Sequence, residues 1–170
     1  MTRLLDFALI EEGQRRYTFE PVDLCAAARD AAASCREIAG ANRIRLVEQS
    51  SELWVEGDRT ALTQAIQNLV DNALKYSPAD TDVRIESGFD AAGPFVAVED
   101  RGIGIPSNER SRIFEKFYRG DHVRTLNVEG VGIGLALVRH VAERHGGSIT
   151  VEDAPTGGSR FVLRLPGMPA

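Results

Sequence analysis

The sequence predicts a mixed, largely antiparallel β-sheet with helices packed on one face. Three observations support this. About six short runs are rich in β-branched and aromatic residues, as strands are. Three longer stretches carry apolar residues at the 3.6-residue period of a half-buried helix. Two pairs of consecutive strand-like runs are joined by short turns: VRIESGF to FVAVED through DAAGP, and SITVEDA to SRFVLRLP through a Gly-Gly step. Consecutive hairpins impose antiparallel pairing, and helices alternating with such pairs give an α/β arrangement with one helical layer.

In chain order, Thr2 to Glu12 has helical periodicity with Leu4, Leu5, Ala8 and Leu9 on one side. So short a helix is not stable in isolation and is expected to pack on something. Gly13 breaks it. The segment YTFEPVDL carries Pro21 and ends in Asp23, a side chain suited to cap the next helix, roughly Leu24 to Ala39. Two strand-like runs follow, RIRLVEQ (43–49) and LWVEGD (53–58). Asp58 then caps a long helix that runs through Tyr76 and is ended by Pro78. After the first hairpin comes a loop-rich stretch from Arg101 to Glu129. A glycine-rich lead-in opens the last helix, Leu135 to His145, which Gly146 and Gly147 end before the closing hairpin.

At 170 residues, 43% hydrophobic and 26% charged, the chain has material for one globular domain with a proper core. It contains no run of about 18 apolar residues, and acidic residues sit where a signal peptide needs an apolar stretch. A cytoplasmic location is therefore expected. Cys25 and Cys35, about 15 Å apart along one helix, are too distant to bridge and are expected to be buried thiols. A net charge of −5 disfavours general nucleic-acid binding.

Four segments carry possible chemistry. On the helix from Asp58, Leu62, Ile66, Leu69 and Ala73 form an apolar stripe, while Asn68, Asn72 and Lys75 fall in one arc of about 60° beside it. That edge is either a solvated flank or a site where an amide oxygen holds a hard cation and a lysine meets an anion. VEDRGIGIP ends an apolar strand on Asp100, followed by Gly102 and Gly104. This suits a flat hydrogen-bonding heterocycle, or is an ordinary tight turn. Gly130, Gly132 and Gly134 lead into a helix N-terminus, where exposed N–H groups attract anions. No Gly-Lys-Ser/Thr follows and no third glycine of a dinucleotide fingerprint is present, so a structural loop is the alternative. In ERSRIFEKFYRGDHVRTLN, Arg110, Arg112, Lys116, Arg119 and Arg124 outnumber the acids, with Phe114, Phe117 and Tyr118 as apolar anchors. It is a solvated charged loop or an anchored one whose mobile basic residues close over phosphates.

In this order the pieces resemble the catalytic and ATP-binding domain of sensor histidine kinases, within the wider family of gyrase-, Hsp90- and MutL-type ATPases. NLVDNALKYSP looks like the N box, DRGIGI the G1 box, RIFEKFYRG the F box, GVGIGLAL the G2 box and GGSRF the G3 box. The resemblance implies a two-layer, Bergerat-type α/β sandwich with ATP between the N-box helix and a lid. Asp100 would then accept a hydrogen bond from the adenine amino group, Gly102 and Gly104 would give the base room, and Ser159 and Ile105 would lie nearby. Asn72 would ligate Mg²⁺ with Asn68 beside it, Lys75 would meet phosphate, and Tyr76 would pack near the nucleoside. Gly130, Gly132, Ile133, Gly134 and Leu135 would approach the phosphates, with Arg119 at the γ-phosphate. Asn68, Lys75 and Arg119 are thus the expected catalytic residues.

Two departures bear on function. Glu129 stands where many relatives have glycine. Asn68 stands where hydrolysing members of the wider family have a glutamate base, and an amide is no effective base at neutral pH. The site is therefore expected to hold ATP for transfer, with gyrase-type turnover least expected. His122, His140 and His145 lack the acceptor motif of histidine kinases, and the last two sit where a basic side chain suits a helix C-terminus. RLLDFALIEEGQ resembles the end of a dimerisation hairpin helix. Residues 1–20 are accordingly expected to be a hairpin remnant and connector, and 21–170 the catalytic domain of a two-component kinase. Such a fragment would not phosphorylate itself. Expected partners are the parent's acceptor hairpin and a response regulator, with a homodimeric parent, membrane-anchored or not, and no nucleic-acid or membrane contact by this segment. A nucleotide-sensing module and an anti-sigma-type serine kinase are the alternatives.

Overall fold

The computed structural model describes residues 2–39, 43–116, 118 and 133–168. Its elements are α1 (Thr2–Glu11), β1 (Glu20–Asp23), α2 (Leu24–Ala39), β2 (Ile44–Glu48), β3 (Trp54–Gly57), α3 (Arg59–Tyr76), β4 (Val83–Asp90), β5 (Gly93–Glu99), α4 (Gly134–Arg144), β6 (Ser148–Asp153) and β7 (Ser159–Arg164). The main sheet runs β2-β4-β5-β7-β6, antiparallel except for β2 against β4. One face carries the helices, so the architecture is the expected mixed, mostly antiparallel sheet.

Local chemistry explains most boundaries. Asp58 Oδ1 accepts the Ala61 N–H at 3.0 Å and caps α3, and Ser77, just ahead of Pro78, ends it. Asp23 Oδ1 accepts from Cys25 N at the start of α2 and from Leu53 N across the chain. Gly93 sits at φ +109° in the β4–β5 turn, and Gly157 and Gly158 lie at φ +82° and +87° between β6 and β7. Leu62, Ile66, Leu69 and Ala73 are fully buried against Ile85, Val96, Val98, Phe161 and Leu163 of the sheet. Cys25 and Cys35 are buried and unbridged, as expected.

Two features differ from the sequence expectation. YTFEPVDL, to which the sequence assigns no strand, contains β1, which pairs antiparallel with β3 in a separate two-stranded ribbon. Pro21 is tolerated because a ribbon edge needs no ladder N–H from it. The runs 43–49 and 53–58 therefore part company: β2 joins the main sheet beside β4, and β3 joins the ribbon. The short α1 does pack: Lys116 pairs with Glu11 and lies 5.5 Å from the Phe7 ring centroid. Among the described residues, no helix is long and apolar enough to cross a membrane.

His145 also departs from expectation. Its Nδ1 donates to Val141 O at 2.7 Å and its Nε2 accepts from the Asp58 backbone N–H at 3.0 Å, a pairing that fixes a neutral tautomer. Burial pushes its pKa down, more than the Val141 hydrogen bond and nearby Asp58 raise it. His140 is pushed down too, by burial first and Arg144 next. His145 is therefore no cation completing a helix dipole; it ties the end of α4 to the start of α3. Asp58 completes the clamp, its Oδ2 accepting from Thr18 N at 2.8 Å in the connector after α1.

A histidine whose folded pKa lies below its unfolded one adds stability at high pH, and loses it as pH falls from the unfolded value toward the folded one. Thermal melts should therefore show stability dropping below about pH 6.5, the ordinary histidine value, with a shallower drop in His145→Ala. That variant should lose about 2 kcal/mol at neutral pH by leaving the Asp58 N–H without its partner. Identical pH profiles for the two proteins would refute the clamp.

Candidate functional site

The last turn of α3, the end of β5 and the start of β7 meet at one end of the sheet. β5 stops where Asp100 leaves the ladder, its N–H donating to Ser159 O at 2.9 Å. The Asp100 side chain is only 4% exposed. Its Oδ1 accepts from Gly102 N at 2.9 Å and Ser159 N at 3.2 Å, whereas Oδ2 takes no hydrogen bond from a described residue. Burial raises the Asp100 pKa, and the two amides pull it part of the way back. The result is a fixed, desolvated carboxylate with one oxygen left for a donor from outside the chain.

The surrounding glycines act mainly through the chain's own packing. A Cβ on Gly102 would stand 2.3 Å from the Tyr76 carbonyl oxygen, so this glycine seats the loop on the end of α3. Gly104 is crowded by nothing nearer than Gly158 O at 3.7 Å, and its φ of +75° is what calls for glycine there. Gly158, which the sequence places in the Gly-Gly turn and in GGSRF but gives no contact of its own, is as constrained: a Cβ there would meet Asp100 O at 2.3 Å. The signal was present, since a tight turn needs one flexible residue and Gly157, facing open space, already supplies it.

On α3, Asn68 and Asn72 are half-buried and Lys75 is exposed beside the buried stripe. Lys75 Nζ lies 3.2 Å from Asp71, one turn back. Asn68 lines a small cavity with Leu137 of α4 and with Ile10, Arg15 and Tyr17 of α1 and its connector. Asn68, Asn72 and Tyr76, spaced i, i+4, i+8, thus run about 12 Å along one helix edge, from the flank of α4 to the Gly102 loop. At the other end, α4 begins at Gly134 with Ile133 at its cap position and no side-chain cap among the described residues, and a helix N-terminus of this kind attracts an anion. Ile133 is buried, and Ile105 and Leu135 pack partly buried against the core.

The basic segment differs from expectation where it is described. Arg110 donates to Ile105 O at 3.2 Å and to Asp153 at 2.5 Å, Arg112 lies 4.4 Å over the Tyr118 ring, and Lys116 pairs with Glu11. These cations are tied to the chain itself. Phe114 is an anchor as expected, edge-on to Phe161 at 6.1 Å. Arg119, Arg124, Phe117, His122, Glu129, Gly130 and Gly132 lie outside the described residues. An amide oxygen at Asn72, with no partner among the described side chains, fits a hard cation that keeps most of its waters.

This architecture is that of known kinase domains. The mycobacterial sensor histidine kinase MprB superposes with a TM-score of 0.77 at 30% identity, over 90% of this chain and 100% of that one. The ATP-binding domain of PrrB from Mycobacterium tuberculosis does so with 0.72 at 33%, over 89% and 98%. Residues 57–168, more than half of the chain, match the family described as "Histidine kinase-, DNA gyrase B-, and HSP90-like ATPase", and the chain belongs to that family. The sensor-like histidine kinase SenX3 of Mycobacterium bovis is 47% identical over 118 residues, 69% of this chain and 29% of that protein. SenX3 of Mycolicibacterium smegmatis is 36% identical over 167 residues, 98% of this chain and 44% of its own length. The chain thus spans less than half the length of these relatives.

Gly102→Ala should lower the stability of the domain by about 1–3 kcal/mol, because backbone atoms cannot give way to the new methyl. Gly167→Ala should cost less, since its backbone needs no positive φ and its Cβ would stand in ordinary contact, 3.7 Å from Pro94. Equal denaturation midpoints for the two variants would contradict the close packing at Gly102.

Proposed function

We propose that this chain is the ATP- and Mg²⁺-binding catalytic region of a two-component sensor histidine kinase. It would donate the γ-phosphoryl group to a histidine on a helical hairpin outside this sequence. Residues 1–20 would be the end of that hairpin and its connector, and 21–170 the catalytic domain. The observation that carries the reading is Asp100: a buried carboxylate with Oδ1 saturated by backbone amides and Oδ2 open suits a single, directional donor such as the adenine 6-amino group.

The residues divide the work. Asp100 orients the base, Ser159 and the Gly102–Gly104 loop hold that carboxylate, and Ile105 and Tyr76 flank the nucleoside. Lys75 turns from Asp71 to a phosphate. The uncapped amides from Gly134 and Leu135, with Gly130, Gly132 and Ile133, line the phosphate end, and Arg119 meets the γ-phosphate. A magnesium ion held through Asn72 would offset charge on the transferring group. Asn68 shares that edge and, being an amide, activates no water, so positioning and charge neutralisation supply the catalysis. A response regulator would receive the phosphoryl group from a homodimeric parent.

Calorimetry should show ATP binding that requires Mg²⁺, and Asn72→Ala should remove the Mg²⁺ dependence. Asp100→Asn should weaken binding by about 1–3 kcal/mol. Because the Asp100 pKa is raised and the ionised form is the better acceptor, affinity should start to fall, on acidification, above the ordinary carboxylate range. With labelled ATP the chain alone should take up almost no γ-phosphate, whereas adding an acceptor hairpin of the parent should yield phosphohistidine. Tight ATP binding without any transfer to that hairpin would overturn the kinase reading in favour of nucleotide sensing.

A further inference from the structure

The helix-free face of the sheet carries an unusual charged row directly behind Asp100. Arg45, Arg84, Glu99, Arg160 and Glu152 occupy one register line across β2, β4, β5, β7 and β6. Four side chains there close into a ring. Arg84 Nη1 lies 3.0 Å from Glu99 and 3.2 Å from Glu86, and Arg160 Nη1 lies 3.1 Å from Glu99 and 3.2 Å from Glu86. Three of its four members are shielded, the Glu86, Glu99 and Arg160 side chains being 11%, 12% and 16% exposed, while Arg84 is 42% exposed and closes the ring from the solvent side. Ion pairs drawn this far out of water are a poor way to stabilise a sheet, because removing the charges from solvent offsets much of their attraction. Its worth lies in fixing geometry.

We propose that Glu99 and Arg160 are positioning residues for Asp100, an inference that rests on the nucleotide reading above. Side chains alternate faces along a strand, so Glu99 and Asp100 point to opposite sides of β5, and Arg160 and Ser159 to opposite sides of β7. The final ladder bond, Asp100 N to Ser159 O, and the Ser159 N–H to Asp100 Oδ1 bond both sit one residue beyond the Glu99–Arg160 pair. Strand ends open readily. No helix covers this end from behind among the described residues: Arg84, Glu99 and Thr156 line a cavity of about 340 Å³ there, and the apolar cluster of that face, Phe95, Ala97 and Val162, begins two residues further along the β5–β7 ladder. The ring is what clamps β5 to β7 at the point where the carboxylate must be held. By contrast, Glu152 reaches Arg160 from the edge strand, 58% exposed, and lies outside the ring.

The test compares ATP with inosine triphosphate, which has an oxo group in place of the amino group that Asp100 would read. In calorimetry the wild-type chain with Mg²⁺ should prefer ATP. Glu99→Gln and Arg160→Gln, which keep most of the volume, should weaken ATP binding about fivefold or more while leaving inosine triphosphate nearly unchanged, so that the preference narrows. Arg160→Lys should restore part of it, and Glu152→Gln should keep it whole. A purely structural role would lower the melting temperature and both affinities together; an unchanged ATP-to-inosine ratio in Glu99→Gln and Arg160→Gln would overturn the proposal while leaving the nucleotide reading intact. A wild-type chain that binds ATP without preferring it, or does not bind it, would sink the Asp100 reading and this inference with it.

Discussion

The structure depends on the pairing of β5 with β7, two central strands whose ends come from distant parts of the chain. That ladder buries Val96, Val98, Phe161 and Leu163 under the helices, and its last hydrogen bond joins Asp100 to Ser159. The glycines on either side follow from the same contact. Gly158 must let the Asp100 carbonyl approach, and Gly102 must let the next turn of chain rest on the end of α3. One backbone approach thus sets the core and presents a desolvated carboxylate at the sheet's edge.

α3 answers that edge with two faces. Its stripe from Leu62 to Ala73 is sunk in the sheet, which fixes the direction in which Asn68, Asn72 and Tyr76 face along the neighbouring edge of the helix. The helix start is held equally firmly. Asp58 caps it and grips the connector through Thr18, while His145 accepts the Asp58 N–H and closes the clamp from α4. Because these contacts use backbone amides, they fix the position of α3 more than its sequence, and the polar edge is free to serve chemistry.

Charge is distributed with the same economy. The cations of the described loop are taken up by the chain: Arg110 secures Ile105 and Asp153, and Lys116 secures α1 through Glu11. The helix-free face holds its own arginines in carboxylate pairs, so that this end of the sheet is braced by charge beyond the small apolar cluster of Phe95, Ala97 and Val162.

The sequence by itself determined most of the elements and the position of Asp100. Asp58 and Asp23 as caps, the Gly93 and Gly157 turns, the α3 stripe and the placement of Asp100 at a strand end all follow from short-range rules, because capping, turn dihedrals and helical periodicity are properties of a few neighbouring residues. Only the tertiary structure decided which strands pair. Nothing local distinguishes β2, which runs parallel to β4, from β3, which turns back on β1, since an edge of backbone N–H and C=O groups is chemically the same in both. The roles of His145, Arg110 and Gly158 were hidden for a related reason. Each is defined by a partner remote in sequence, Asp58, Asp153 or Asp100, and burial, which set the protonation of His145 and raised the pKa of Asp100, exists only once those partners have been packed together.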